Sequence, residues 1–140
     1  LYRQVREICQ AYGVACIAHT YAKAALHAGS RAIHVPLHLL KETPKIRGQF
    51  DIIGVSIHGK EEALLAERLG ASYLTAGHIF ATDCKKGVAP RGVEFLENVC
   101  EAVCLPVYAI GGMKGEIACV EEMMTHGARG ICVMSECMGW

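Results

Sequence analysis

The chain has 140 residues, 52% hydrophobic and 20% charged, with 14 Lys and Arg balanced by 14 Asp and Glu. That is the composition of one globular domain with a real core. The even charge and the absence of a basic stripe argue against a nucleic-acid partner, and no run of about 18 apolar residues is available to span a membrane.

Leu1 to Tyr12 reads as an amphipathic helix, with Val5, Ile8 and Cys9 at helical spacing and Gly13 at its end. Val14 to Ala18 reads as a short apolar strand. Thr20 to Ala28 is an alanine-rich helix stopped by Gly29. Arg31 to Val35 is the next strand. The segment His38 to Gln49 is less regular, and Pro44 allows at most a short helix there. Phe50 to Ile57 is a continuous apolar strand. Lys60 to Leu69 is the clearest helix, closed by Gly70. Ser72 to Ala76 is a strand that runs into the polar stretch Gly77 to Gly87. A helix from Gly92 to Ala102, a strand from Pro106 to Ile110, a helix from Gly115 to His126 closed by Gly127, and a strand from Gly130 to Met134 complete the pattern.

The eight cysteines form no CxxC pair. Cys16 and Cys132 fall in strand patterns, and Cys100, Cys104 and Cys119 in helical ones. They read as small buried hydrophobes in a reducing cytoplasm. Cys84, in its polar loop, is the exception. The sequence shows no secretory n-region followed by an h-region.

Strands alternate with helices, and one phrase recurs where a helix hands over to a strand: Ala28-Gly29-Ser30, Leu69-Gly70-Ala71, His126-Gly127-Ala128. Continuous apolar strands imply burial on both faces, hence a parallel sheet with helices outside. The alternatives are a doubly wound sheet and a (β/α) barrel. No GxGxxG or GxxxxGK[ST] follows a strand, and the last two strands end in small residues suited to phosphate, which favours the barrel. The expected fold is therefore α/β, a parallel (β/α) TIM barrel with about six βα units, residues 1–140 forming one partial barrel domain. Eight units ordinarily need about 200 residues or more, so two N-terminal units and the last helix are expected to be missing. A second copy of the chain, as a homodimer, would cover the open edges.

The strand ends carry the candidate chemistry. Gly111 and Gly112 let a phosphate approach backbone N–H groups at a helix start, although a tight turn would use the same residues. Ser135 on the neighbouring strand end adds a hydroxyl. His78 sits where a buried strand opens into a loop bearing Thr82, Asp83, Lys85 and Lys86, and a histidine exchanges protons near neutral pH. His19, His34, His58 and His38 fall at or near the ends of earlier strands and could line a metal site. No Asp or Glu accompanies them at those ends, so no metal is expected. Ser56 can offer a hydroxyl to a substrate.

The stretches Gly54-Val55-Ser56-Ile57-His58, Gly77 to Gly87, Pro106 to Met113 and Val133-Met134-Ser135 together resemble the thiamine phosphate synthase / thiazole tautomerase family. The resemblance implies a (β/α)8 barrel that binds a phosphorylated thiazole. In synthases, which join a pyrimidine diphosphate to thiazole phosphate, Mg2+ is held by aspartates in Asn-Asp-Arg and His-x-Gly-Gln-x-Asp stretches. Here these read His19-Thr20-Tyr21 and His34-Val35-Pro36-Leu37-His38-Leu39, so Thr20 and Leu39 replace both acids. The synthase loop Pro-Thr-x-Thr-Lys becomes Ala81-Thr82-Asp83-Cys84-Lys85. The tautomerase branch matches the loop better, with His78 at the catalytic histidine. By that resemblance the expected activity is a cofactor-free tautomerase of thiamine biosynthesis, an isomerase that aromatises a carboxythiazole phosphate. Gly111, Gly112, Met134 and Ser135 would bind the phosphate, and Ser56, Thr82 and Lys85 the rest of the substrate. The alternatives are a Mg2+-dependent synthase and a non-catalytic binder of thiazole or thiamine phosphates.

Overall fold

A computed structural model describes residues 1–139. In chain order it contains α1 (Tyr2–Ala11), β1 (Ala18–His19), α2 (Ala22–His27), β2 (Ala32–Pro36), α3 (Leu37–Glu42), α4 (Ile46–Gln49), β3 (Ile52–Ile57), α5 (Lys60–Arg68), β4 (Tyr73–Gly77), α6 (Gly92–Ala102), β5 (Val107–Ile110), α7 (Ile117–Thr125) and β6 (Gly130–Cys132). Short 3₁₀ turns lie at Asp83–Lys85 and Cys137–Gly139.

All six strands are parallel and stand side by side in sequence order. Right-handed crossovers repeated in one direction give this order, whereas a doubly wound sheet reverses partway. The strands curl into a half-barrel; among the described residues β1 pairs only with β2 and β6 only with β5. The recurring Gly phrase has a common geometry. Gly29, Gly70 and Gly127 take left-handed φ values of 77°, 85° and 89°. The next residue's N–H reaches back five positions, from Ser30 to Ala25, Ala71 to Ala66 and Ala128 to Met123, at 2.9–3.1 Å. This is the Schellman stop, which satisfies a helix's last carbonyls and turns the chain into the next strand.

The core lies between sheet and helices. Ile33, Val35, Val55, Ile57, Leu74, Ala76 and Ala109 are wholly buried there, packed with Leu40, Ala63, Leu96, Val99 and Met123 from the helical layer.

Several local expectations change. Of the apolar run Val14 to Ala18 only Ala18 enters the sheet, joined by the following His19, and Val14 stays exposed; among the described residues β1 has a strand neighbour on one side alone. The irregular segment holds two short helices, α3 and α4, on either side of Pro44, which bury Leu40 and Ile46. Helix α7 starts at Ile117, two residues after Gly115, and Met134 lies beyond the end of β6. The cysteines are all free; Cys84, Cys104 and Cys137 are exposed and the others half-buried, so they are not core residues. Burial still pushes the Cys100 thiol up to about 11.

Candidate functional site

Period-two alternation turns Ser56 of β3, Thr75 and Gly77 of β4, Ile110 of β5 and Cys132 of β6 toward the lumen. These residues floor a cavity of about 830 Å³, walled by the loops after β4, β5 and β6. The same cavity brings together His78, Gly111, Gly112, Met134, Ser135, Ser56, Thr82 and Lys85. Residues selected from four separate stretches of sequence therefore share one space.

His78 follows Gly77 through a cis peptide. It is buried, and its Nε2 donates to the Val88 carbonyl at 3.2 Å. The loop returns this tie: Arg91 N–H donates to the His78 carbonyl at 3.0 Å. Gly111 packs directly behind. Its φ is +98°, and a Cβ there would run into His78 Cβ. A Cβ on Gly112 would sit 2.7 Å from the Ala81 carbonyl. Ile79 and Phe80 N–H groups donate to the Ile110 and Gly111 carbonyls at 2.9 and 3.0 Å. The two glycines are thus required for the close approach of two loops, whatever they bind.

Their N–H groups remain available. Among the described residues, those of Gly111, Gly112, Met113 and Lys114 donate to no protein acceptor. Lys85 and Lys114 bring positive charge to the lining, and Asp83, Glu116 and Glu136 bring negative charge. Glu136 accepts the Gly115 N–H, so a carboxylate already sits just before α7. Thr82 uses its hydroxyl locally, accepting the Cys84 N–H at 3.4 Å. The β4 and β6 loops meet across the mouth, with Cys84 Sγ 3.9 Å from Ser135 Oγ.

The strand-end histidines do not converge on one point. His34 bonds Tyr73 OH (3.0 Å) and Ser56 Oγ (2.8 Å) through its two nitrogens. His58 donates from Nδ1 to the Gly77 carbonyl at 2.8 Å, and its own N–H is accepted by Glu62. His19 stacks on His34 with centroids 5.4 Å apart. Burial first, and His19 second, lower the His34 pKa to about 4. Sequence reasoning overlooked Tyr73 and Thr75, although strict alternation along β4 places both beside Ser56.

The family model described as thiamine monophosphate synthase matches residues 1–137. The chain belongs to this family. The thiamine-phosphate synthase of Shouchella clausii is 37% identical over 137 residues, covering 96% of this chain and 65% of its own length. That of Pyrococcus horikoshii is 35% identical over 143 residues, covering 98% and 66%. The solved thiamine phosphate pyrophosphorylase of Pyrococcus furiosus superposes with a TM-score of 0.83 at 31% identity, covering 99% of this chain and 66% of that one. FabK of Thermotoga maritima, at 15% identity and a TM-score of 0.63, shares the fold alone. The chain spans about two thirds of the length of the synthases it matches.

These relatives overturn the expected tautomerase activity. They bear the synthase name with 34–37% identity over nearly the whole chain, whereas the tautomerase reading rested on the loop from Gly77 to Gly87 and on Thr20 and Leu39 standing where synthases carry acids. At His78 the Cα and Cβ lie against Gly111, and the imidazole Nε2 donates to the Val88 carbonyl.

Proposed function

We propose that this chain is the phosphate-binding part of a thiamine-phosphate synthase, a transferase that bonds a pyrimidine diphosphate to thiazole phosphate and releases diphosphate. The observation that carries the reading is the cavity itself. It combines open N–H groups at 111–114 with Ser56 and two lysines, on a chain similar to synthases from end to end. In this reading Gly111, Gly112, Met134 and Ser135 hold the thiazole phosphate through N–H groups and the Ser135 hydroxyl. Lys85 and Lys114 neutralise its charge. Ser56 donates from the floor, Thr82 shapes the loop that carries Lys85, and His78 forms a wall.

The Mg2+ that the family implies does not fit the corresponding residues here. Mg2+ takes hard carboxylate oxygens. Thr20 instead bonds His19 Nδ1 at 2.6 Å, and Leu39 packs against the core. Among the described residues no group of three His, Cys, Asp or Glu side chains is placed to hold a metal.

The test is a pair of measurements on the full chain. Calorimetry with thiazole phosphate should give tighter binding than inorganic phosphate, and mixing both substrates should yield thiamine phosphate and diphosphate. Equal affinity for thiazole phosphate and inorganic phosphate, with no coupling, would sink the reading.

A further inference from the structure

The histidine at the second strand end is the part of the sequence pattern that the phosphate cavity leaves unused. His34 lies in the lumen, buried to 9% exposure, at the centre of a polar cluster drawn from three strands. Its Nδ1 faces Tyr73 OH at 3.0 Å and its Nε2 faces Ser56 Oγ at 2.8 Å. Thr75 Oγ1 donates to Ser56 Oγ at 3.3 Å and lies 3.4 Å from His34 Nε2. Gly54 stands opposite both rings in register, and a Cβ there would strike Tyr73 OH and His34 Nδ1. The bare glycine lets the two side chains meet across β3.

We propose that His34 is a positioning residue: the Tyr73 hydroxyl donates to Nδ1, Nε2–H donates to Ser56 Oγ, and the Ser56 hydroxyl is thereby turned to donate into the cavity. A neutral imidazole has one donor and one acceptor. Burial pushes the Tyr73 phenol up to about 12, so it keeps its proton. Among the described residues His34 is the only acceptor that this proton meets. The opposite tautomer would leave the half-buried phenol proton without a protein partner, and Nε2 would then accept from Ser56 at 2.8 Å or from Thr75 Oγ1 at 3.4 Å. With Nε2–H and the Thr75 hydroxyl both donating to Ser56, its lone pairs are taken and its own proton has only the lumen to point to.

Ser56 also lines both the large cavity and a neighbouring one of about 250 Å³ bounded by His38, Lys41 and His58. Its proton is thus presented at the seam between two spaces, where an anionic oxygen of a phosphorylated ligand would accept it. The ligand rests on the synthase reading; the tautomer does not.

Ring-nitrogen NMR of the full chain, labelled at histidine and assigned with His34→Gln, tests the tautomer directly. The expected spectrum has a pyridine-type Nδ1 and a pyrrole-type Nε2 for His34. The reverse pattern overturns the proposal. A double-mutant cycle tests the coupling. In titrations with thiazole phosphate, Ser56→Ala and Tyr73→Phe should each weaken binding by about tenfold, and the double variant by about tenfold rather than a hundredfold, since Tyr73 acts only through Ser56. Independent, multiplying losses would overturn it. A wild-type chain that fails to bind thiazole phosphate defeats the synthase reading and the ligand assignment together, and the ring spectrum then decides the tautomer alone.

Discussion

Along β3, Ile53, Val55 and Ile57 face the helices, while Gly54 and Ser56 face the lumen; along β4, Leu74 and Ala76 oppose Tyr73, Thr75 and Gly77. The helix-facing side is apolar and closed to solvent, with Val55, Ile57, Leu74 and Ala76 at 0% exposure. The lumen side carries hydroxyls, an imidazole and a phenol bonded to one another. A single residue step along each strand separates two jobs. One face supplies the hydrophobic burial that holds the sheet to its helices. The other trades burial for polar groups, each of which needs a partner to be tolerated there.

Truncation on the helix-facing side should cause the largest loss. Leu74→Ala should cost about 3 kcal/mol of stability, from lost transfer energy and the cavity left behind, read as a lower urea midpoint. A loss below about 1 kcal/mol would mean that the layer is less tightly packed than its burial indicates.

The next effect comes from the lumen side and depends on pH. The His34 pKa is about 4 rather than 6.5, because burial and then His19 disfavour its charge. The unfolded ring gains a proton as pH falls through about 6.5, but the folded ring does not until about 4. The folded state thus binds fewer protons in that window, and its relative stability declines as pH falls through it. Discounted for solvent reaching the lumen, the decline is about 2 kcal/mol. Urea midpoints between pH 7 and pH 4.5 should fall more steeply for wild type than for His34→Gln; parallel slopes would contradict a ring held neutral.

The smallest stability effect should come from Ser56→Ala. Removing one hydroxyl from a half-buried cluster should cost about 1 kcal/mol or less, with secondary structure by circular dichroism unchanged. Thiazole-phosphate affinity should fall at the same time. If stability fell as much as in Leu74→Ala, the division between the two faces would not hold.

Much of the fold could be read from the chain because its causes are local. Alternating strands and helices, the Gly29, Gly70 and Gly127 stops and the continuous apolar strands predict a parallel α/β sheet before any contact is known. The lining of the cavity was readable to the extent that it lies at strand ends: His78, Gly111, Gly112 and Ser135 all follow apolar runs. Function was less accessible. Two branches of one family share the fold, and the loop from Gly77 to Gly87 pointed to one while chain-wide similarity points to the other.

The sequence by itself determined the order of the six strands and of five of the seven helices, where those five helices stop, and which strand ends bear polar residues, because propensity and periodicity act over a few neighbours. Only the tertiary structure decided what those residues meet. Whether His34 faces a metal or a phenol depends on the register that brings Gly54 between it and Tyr73. Whether Gly111 is free for a ligand or needed for packing depends on how closely the His78 loop approaches it. Register, twist and loop packing join residues about 20 to 40 positions apart, and no local pattern encodes that meeting.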